Sequence, residues 1–284
     1  MQKHKIRDIV SRDASRLARS LSLPAAESRL EVRILLEHVL GVDRAWLLTH
    51  DGDQVTLESQ GRYDALLARR LAGVPIAYIV GQREFYGRPF KVGPSVLIPR
   101  PETELLVDLA KSRLPANEAC DVLDLGTGSG CIAISLALEC PAWRVTGIER
   151  SQLSLDLARE NAYCLRAQVE LRQGEWFADL ADSRFDLIVS NPPYIAELDP
   201  HLWSGDVRFE PREALVSGPG GMSDLNQIIR QSRDFLKPGG WLLIEHGWDQ
   251  GRAVEDLMKQ LGFWQVQGHQ DHGGRDRATT GRCR

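Results

Sequence analysis

The chain has 284 residues, of which 43% are hydrophobic and 26% charged, a balance that suits a globular protein with a sizeable core. Its formal charge of -4 argues against a protein that holds nucleic acid mainly through phosphates, because that task asks for a basic excess. The five cysteines (Cys120, Cys131, Cys140, Cys164 and Cys283) lack the paired spacing of a zinc site or a disulfide framework, so they read as free buried thiols with no metal. Met1 to Ser20 alternates charged with apolar residues and has no apolar heart, so it is not a secretory signal. No stretch approaches the roughly 20 apolar residues of a membrane span. A cytoplasmic protein without a membrane partner is expected.

Residues 1–75 read as a helical bundle. Val32, Leu35, Leu36, Val39 and Leu40 recur at the spacing of one helical face, and Gly41 stands where a left-handed cap is wanted. A second helical run, Tyr63 to Leu71, ends at Gly73-Val74-Pro75. No cluster of catalytic residues occurs here, which suits a module for docking or substrate choice. Residues 76–100 change character: Gly81, Gly87, Pro89, Gly93, Pro94 and Pro99 punctuate short apolar runs, the pattern of a β-hairpin linker.

From Pro101 to Arg284 strands alternate with helices. Val122 to Leu125, Trp143 to Ile148, Phe185 to Val189 and Trp241 to Ile244 are short buried strands; Cys131 to Leu138 and Leu225 to Leu236 are helices. Such alternation implies a doubly wound, Rossmann-like α/β domain, with a parallel sheet covered by helices on both faces.

Asp124-Leu125-Gly126-Thr127-Gly128-Ser129-Gly130 falls where the first of these strands turns into its helix. Glycines there permit a tight turn and let a ligand approach the backbone. Glu149 ends the next strand, about 20 residues on, where an acid grips ribose hydroxyls. A dinucleotide would favour G-x-G-x-x-G and a pyrophosphate at the helix start. Here the glycines run G-x-G-x-G behind a carboxylate, which repels phosphate and welcomes a cation. S-adenosylmethionine, with its sulfonium and its amino group, fits better than a dinucleotide.

Asn191-Pro192-Pro193-Tyr194 follows the strand Phe185 to Ser190 directly, at the sheet edge where ligands of open α/β folds bind. An amide or exocyclic amine is a poor nucleophile, because its lone pair is delocalised. The Asn191 side-chain oxygen and the Pro192 carbonyl can accept its two hydrogens, orient it and favour the charge that develops as a methyl arrives. The prolines stiffen the loop, and Tyr194 offers a ring on which a planar group can stack. These four residues are therefore the expected substrate site, with Asn191, Pro192 and Tyr194 carrying the catalysis. Adenine in DNA, guanine in RNA and a glutamine side chain all remain open as acceptors, and so does a non-catalytic adaptor that only keeps the fold.

The chain resembles the HemK/PrmC family along nearly all its length beyond the first few tens of residues. The matching stretches are Gly73 to Tyr78, Phe85-Tyr86-Gly87, Val96 to Glu104, Asp124 to Gly130, Asn191 to Tyr194, Asp206 to Pro211 and Glu245-His246-Gly247-Trp248. The Pro101-Glu102-Thr103-Glu104 run is the specific part, since a sister family acting on a ribosomal-protein glutamine carries a different segment after Ile-Pro-Arg. The resemblance implies a class I methyltransferase fold. It also implies methylation of the glutamine in the Gly-Gly-Gln motif of class 1 peptide-chain release factors, with no direct nucleic-acid partner. It carries cofactor contacts to Gly126, Thr127, Gly128, Ser129, Gly130, Glu149, Trp176 and Asn191, and glutamine contacts to Asn191 through Tyr194. Glu149 stands where this family commonly has Asp. Arg100 and Glu104 are expected to shape the pocket or to form an ion pair at a helix start.

Overall fold

The computed structural model describes residues 4–178, 180 and 183–284. Residues 1–3 of the helical segment, and 179, 181 and 182 further on, lie outside that description. The chain forms two compact units, Met1–Gln82 with His201–Phe209, and Arg83–Pro200 with Glu210–Arg284.

The first unit holds α1 (Ile6–Leu21), α2 (Ala25–Leu40), α3 (Arg44–Thr49), α4 (Leu57–Leu71) and α5 (Ile76–Val80). The predicted apolar stripe of α2 is buried at Val32, Leu35, Leu36 and Val39, against Ile9 and Leu17 of α1 and Tyr63 and Leu67 of α4. Gly41 caps α2 in the left-handed conformation, its N–H donating to the Glu37 carbonyl. Asp43 and Thr56 cap α3 and α4 by accepting from Trp46 N and Ser59 N. The expected hairpin segment 76–100 thus begins with a helical turn, because Pro75 opens it, Gly81 closes it and Ile79 joins the helical core. The Arg70 guanidinium is buried and grips Glu31 through Nε at 2.8 Å and Nη2 at 3.0 Å, and reaches Asp206 Oδ1 at 2.9 Å. Such a pair is strongly destabilising to break from one side, since the partner is left charged and dry. This clamp ties residues 201–209 to the helices, although sequence alternation places them in the α/β domain.

The second unit begins at Arg83, within the hairpin of β1 (Gln82–Phe85) and β2 (Arg88–Lys91). Its turn residues Tyr86 and Gly87 both have positive φ, 51° and 71°, the backbone twist that suits a two-residue hairpin. Phe85 and Phe90 bury their rings edge to face in the same core as Leu106 and Val107 of α6 (Glu104–Arg113). Seven strands then form one sheet: β3 (Asp121–Leu125), β4 (Arg144–Glu149), β5 (Glu170–Gln173), β6 (Phe185–Ser190), β7 (Leu236–Glu245), β8 (Trp264–Gln270) and β9 (Asp276–Arg282), in the order β5-β4-β3-β6-β7-β9-β8.

Both faces of the central strands are buried. Val122, Leu187, Val189 and Leu243 enter one core, beneath α6 and α7 (Cys131–Glu139). Their neighbours Leu123, Ile188, Leu242 and Ile244 enter the other, beneath α9 (Ser223–Phe235) and α10 (Gly251–Gln260). This is why these strands read as unbroken apolar runs. β3 pairs in parallel with β4 and β6, and β6 with β7. The sheet is not wholly parallel, however: β9 runs antiparallel between β7 and β8. A turn at Asp271–Arg275 joins β8 to β9, and only antiparallel neighbours can be joined so briefly. Their polar sequences, in an edge hairpin exposed along much of β8, hid them from a search for apolar runs. Four of the cysteines are buried as expected, but Cys164 is exposed near the end of α8 (Gln152–Leu165). No helix among the described residues is long and apolar enough to cross a membrane.

Candidate active site

The register of the sheet sets Leu125 beside Ile148 on one side and Ser190 on the other, so the loops that follow β3, β4 and β6 leave from one edge. After β3 the chain turns sharply. Gly126, Gly128 and Gly130 all have positive φ, and Gly126 N and Thr127 N both donate to the Ile148 carbonyl, at 2.9 and 3.0 Å. Gly130 then starts α7 with no room for a side chain: a Cβ would lie 2.7 Å from Ile134 Cδ1 and 3.4 Å from Ala158 Cβ. Gly130→Ala is therefore expected to lower stability by about 2 kcal/mol from backbone strain alone, measured as a fall in thermal midpoint. An unchanged midpoint would remove the packing argument.

The acidic residues around this loop have separate tasks. Glu149 Oε2 accepts from Gly128 N at 2.9 Å while Oε1 accepts from Ser151 N at 2.8 Å. Its longer arm thus pins the glycine loop, and each oxygen keeps a further lone pair for a hydroxyl. Asp124 is wholly buried. Its Oδ2 takes the Thr127 hydroxyl at 2.6 Å and Ala133 N at 3.2 Å, while Oδ1 has no partner among the described residues. Burial, aided by the nearby Glu149 charge, raises its pKa to about 7. Trp176 lies over the turn, with ring atom Cζ3 3.3 Å from the place a Gly126 Cβ would take, and it also packs on the second core. Asn161 of α8 is buried and joins the loop to the hairpin, donating to Ser129 O at 2.8 Å and accepting from Lys91 N at 2.7 Å.

Asn191 begins the next loop. Its Nδ2 donates to the Thr103 hydroxyl at 3.2 Å. Pro192 is buried, and the Tyr194 hydroxyl donates to Glu245 Oε1 at 3.3 Å. Glu245 is itself buried at the end of β7, with Oε2 unpartnered among the described residues. Burial raises its pKa to about 7, the Thr103 hydroxyl, Arg277 and Tyr194 offsetting part of the effect. Gln250 braces the same loop from the other side, with Nε2 on Tyr194 O at 3.0 Å and on Gly221 O at 3.3 Å.

A cavity of about 410 Å³ runs along these loops, within the size range of small-molecule sites. Its charged lining sets four carboxylates (Glu149, Glu175, Glu213 and Asp224) against two guanidiniums, Arg100 and Arg150. Arg100 is engaged by the buried Glu210, which also accepts from Ile98 N at 3.0 Å. The balance favours a cationic guest.

Two family models match the chain, a PrmC N-terminal domain over residues 14–81 and a methyltransferase domain over residues 116–279. A release factor glutamine methyltransferase of Aliivibrio fischeri is 47% identical over 269 residues, covering 94% of both chains. One from Escherichia coli is 48% identical over 262 residues, covering 92% of this chain and 94% of the relative. The chain belongs to the release factor glutamine methyltransferase family. As a member of that family it is an S-adenosylmethionine-dependent methyltransferase. A methyltransferase structure from Pyrococcus furiosus shares the fold at 19% identity and a TM-score of 0.52, covering 76% of this chain and 96% of its own.

The residues present fit the family's methyl donor. The carboxylate excess suits a sulfonium, the unpartnered Asp124 Oδ1 is an acceptor in reserve beneath the glycine loop, and Glu149 and Trp176 lie beside each other's loops as a hydroxyl acceptor and a flat wall. Of the residues expected from sequence, Gly126 through Ser129, Glu149, Trp176, Asn191 and Pro193 are brought together around the cavity. Gly130, Pro192 and Tyr194 stand behind its wall, Tyr194 being turned toward Glu245. Arg100 lines the cavity, whereas Glu104 accepts from Tyr86 N at 2.7 Å and so fastens the hairpin turn; the two do not pair with each other. Sequence reasoning gave no role to Thr103, Glu245, Asn161 or Glu210. Thr103 and Glu245 did fall within stretches that carry the family resemblance, but nothing in their spacing linked them to Asn191.

Proposed function

We propose that this protein methylates the side-chain amide nitrogen of the glutamine in the Gly-Gly-Gln motif of class 1 peptide-chain release factors. The observation that carries the reading is Asn191-Pro192-Pro193-Tyr194 at the carboxyl end of β6, whose Asn191 and Pro193 line the cavity together with the glycine loop, Glu149 and Trp176. The names of the relatives, at nearly half identity over most of the chain, support release factors as substrates.

S-adenosylmethionine supplies an electrophilic methyl group when bound. The chain's own residues would hold and orient it: Glu149 would accept from the ribose hydroxyls, Trp176 would supply a flat wall, and Gly126 to Ser129 would present their backbone. Asn191 Oδ1 and the Pro192 carbonyl accept the two amide hydrogens of the glutamine, aligning its nitrogen and favouring the positive charge that appears there during transfer. The spare proton leaves that nitrogen afterwards, so no strong base is needed beforehand. In this reading residues 1–75 dock the release factor, residues 76–100 carry the chain across, and residues 101–284 hold the cofactor. An overall charge of -4 suits a protein loop better than a nucleic-acid backbone.

The decisive experiment incubates the protein with labelled S-adenosylmethionine and purified release factor, then maps the product by mass spectrometry. One added methyl on the Gly-Gly-Gln glutamine is expected. A short peptide bearing the motif offers nothing for a docking module to hold and should show a higher KM. Label in DNA or RNA, or on a ribosomal-protein glutamine, would overturn the reading.

A further inference from the structure

Asn191-Pro192-Pro193-Tyr194 cannot be held from within. Its two prolines have no N–H to donate, and the Pro192 carbonyl must stay free if it is to accept from a substrate. With both proline φ angles fixed, the direction of that carbonyl depends on how the two ends of the loop are fastened. The entry is Ser190, the last residue of β6, paired with Leu125 of β3 and Ile244 of β7. The exit is stitched to a neighbouring segment, with Ile195 N on Leu215 O at 2.9 Å and Ser217 N on Ile195 O at 3.0 Å. The Tyr194 carbonyl, the last group of the loop, lies against another backbone. A Cβ on Gly221, whose φ is 71°, would stand 2.4 Å from it, an approach that only glycine permits.

Gln250 serves both of these carbonyls. Its Nε2 has two hydrogens and donates to Tyr194 O at 3.0 Å and to Gly221 O at 3.3 Å. Its Oε1 accepts from Gly247 N at 2.9 Å. The partners settle which way round the carboxamide lies, since a backbone N–H only donates and a carbonyl only accepts. Gly247 is fixed in turn by His246, whose Nδ1 is 2.9 Å from Gly247 O and must carry the hydrogen there. The other ring nitrogen, Nε2, accepts the Thr279 hydroxyl of β9 at 2.9 Å. Burial lowers the pKa of His246, in keeping with a neutral ring. Each donor thus points onward, from Thr279 through His246, Gly247 and Gln250 to Tyr194. The helix does not ask for glutamine here. Gln250 is the N-cap of α10, where Ser, Thr, Asp or Asn would satisfy the first N–H groups, yet its side chain makes no cap bond among the described residues.

We propose that Gln250 is a positioning residue for methyl transfer: it holds the Tyr194 carbonyl against Gly221 and so fixes the direction in which the Pro192 carbonyl faces the substrate amide. The inference rests on the proposed role of the Pro192 carbonyl as an acceptor.

Gln250→Met keeps the length and removes both polar ends. It should lower kcat for release factor by about 10- to 100-fold, the scale on which a displacement of about 1 Å acts, with cofactor Kd and substrate KM within about threefold of wild type. Gln250→Glu separates positioning from local support, because it can still accept from Gly247 N but has no N–H for the two carbonyls. A residue that only braced its own turn would tolerate that change; here kcat should fall at least as far as in Gln250→Met. The Tyr194 carbonyl can also be read without substrate. The chain has two Tyr-Ile pairs, Tyr78-Ile79 and Tyr194-Ile195, so protein labelled with 13C-carbonyl tyrosine and 15N isoleucine gives two correlated peaks. The Tyr194 carbonyl should move upfield in both variants as it loses its donor, while that of Tyr78 stays in place. If Gln250→Met fails to melt cooperatively, Gln250→Glu decides. Wild-type kcat in Gln250→Glu, a kcat loss matched by the rise in cofactor Kd, or an unmoved Tyr194 carbonyl would each overturn the proposal. Absence of wild-type turnover on release factor would overturn the proposed function, and the Tyr194 carbonyl alone would then judge the hold of Gln250 on the loop.

Discussion

Asn191→Ala should bind S-adenosylmethionine nearly as well as wild type and lose turnover by about 10²- to 10³-fold, the scale of removing one preorganised group from a site of developing charge. The asymmetry follows from what the side chain touches. Asn191 Nδ2 is committed to Thr103, and the groups assigned to the cofactor (the glycine loop, Glu149 and Trp176) depend on bonds that do not pass through Asn191. The glycine loop is fixed by Ile148 O, Glu149 and Asn161, so it survives the truncation. Meanwhile Pro192 stays buried and Tyr194 stays tied to Glu245, and the loop keeps its course. What disappears is one of two acceptors for the substrate's hydrogens, together with the alignment they jointly impose. Single-turnover kinetics with calorimetry of cofactor binding separate the two effects. A variant whose cofactor Kd rises as much as its rate falls would mean that Asn191 belongs chiefly to the cofactor site.

How much of this was legible in the sequence depends on the reach of each interaction. The glycine loop and Asn191 to Tyr194 could be read because they are contiguous and sit at strand ends that announce themselves as apolar runs. The stripe on α2 and its Gly41 cap were legible for the same reason, being governed by residues within one helix. Thr103, Asn191 and Glu245 are contiguous only in space: the ladder of β6 on β7 and the turn ahead of α6 bring them together, and no local pattern encodes that. The fate of residues 201–209 was hidden likewise, since Arg70 and Asp206 are far apart in the chain and each alone looks like an ordinary surface charge. Strands β8 and β9 escaped because they form an edge hairpin with little apolar content on β8, where burial has not left its mark on composition. Tyr194 adds a contact that the motif could not announce: a buried carboxylate from another strand accepts its hydroxyl.

Asp124→Asn is expected to have opposite effects on stability and on binding, and the signs come from one buried carboxyl. In the free protein burial raises its pKa to about 7, against about 3.9 for an unfolded aspartate. A group raised on folding contributes stability that is fully present below the unfolded value and lost as pH climbs through the folded one. At pH 8 the folded protein therefore carries an ionised Asp124 with one oxygen unpartnered among the described residues, at a cost on the order of a few kcal/mol. Asparagine keeps an acceptor for Thr127 and Ala133 and carries no charge, so the free variant should melt higher than wild type at pH 8 and show little gain at pH 4. A cationic cofactor reverses the preference, since its positive charge favours the ionised carboxyl. Binding at pH 6 should release a proton, visible as a dependence of calorimetric heat on the buffer's ionisation enthalpy. That release should fade by pH 8, where the proton is already gone. The variant should release none from this site and bind the cofactor about 100-fold more weakly at pH 8, the scale of a lost charge-assisted contact in a dry site. Glu245, raised by burial to a similar value, is the internal control, because its titration persists in Asp124→Asn and shows in the stability profile. Undiminished proton release in the variant, or a lower melting temperature at pH 8, would show that Asp124 only caps the turn. The cation would then owe its place to the carboxylates that line the cavity, Glu149 foremost.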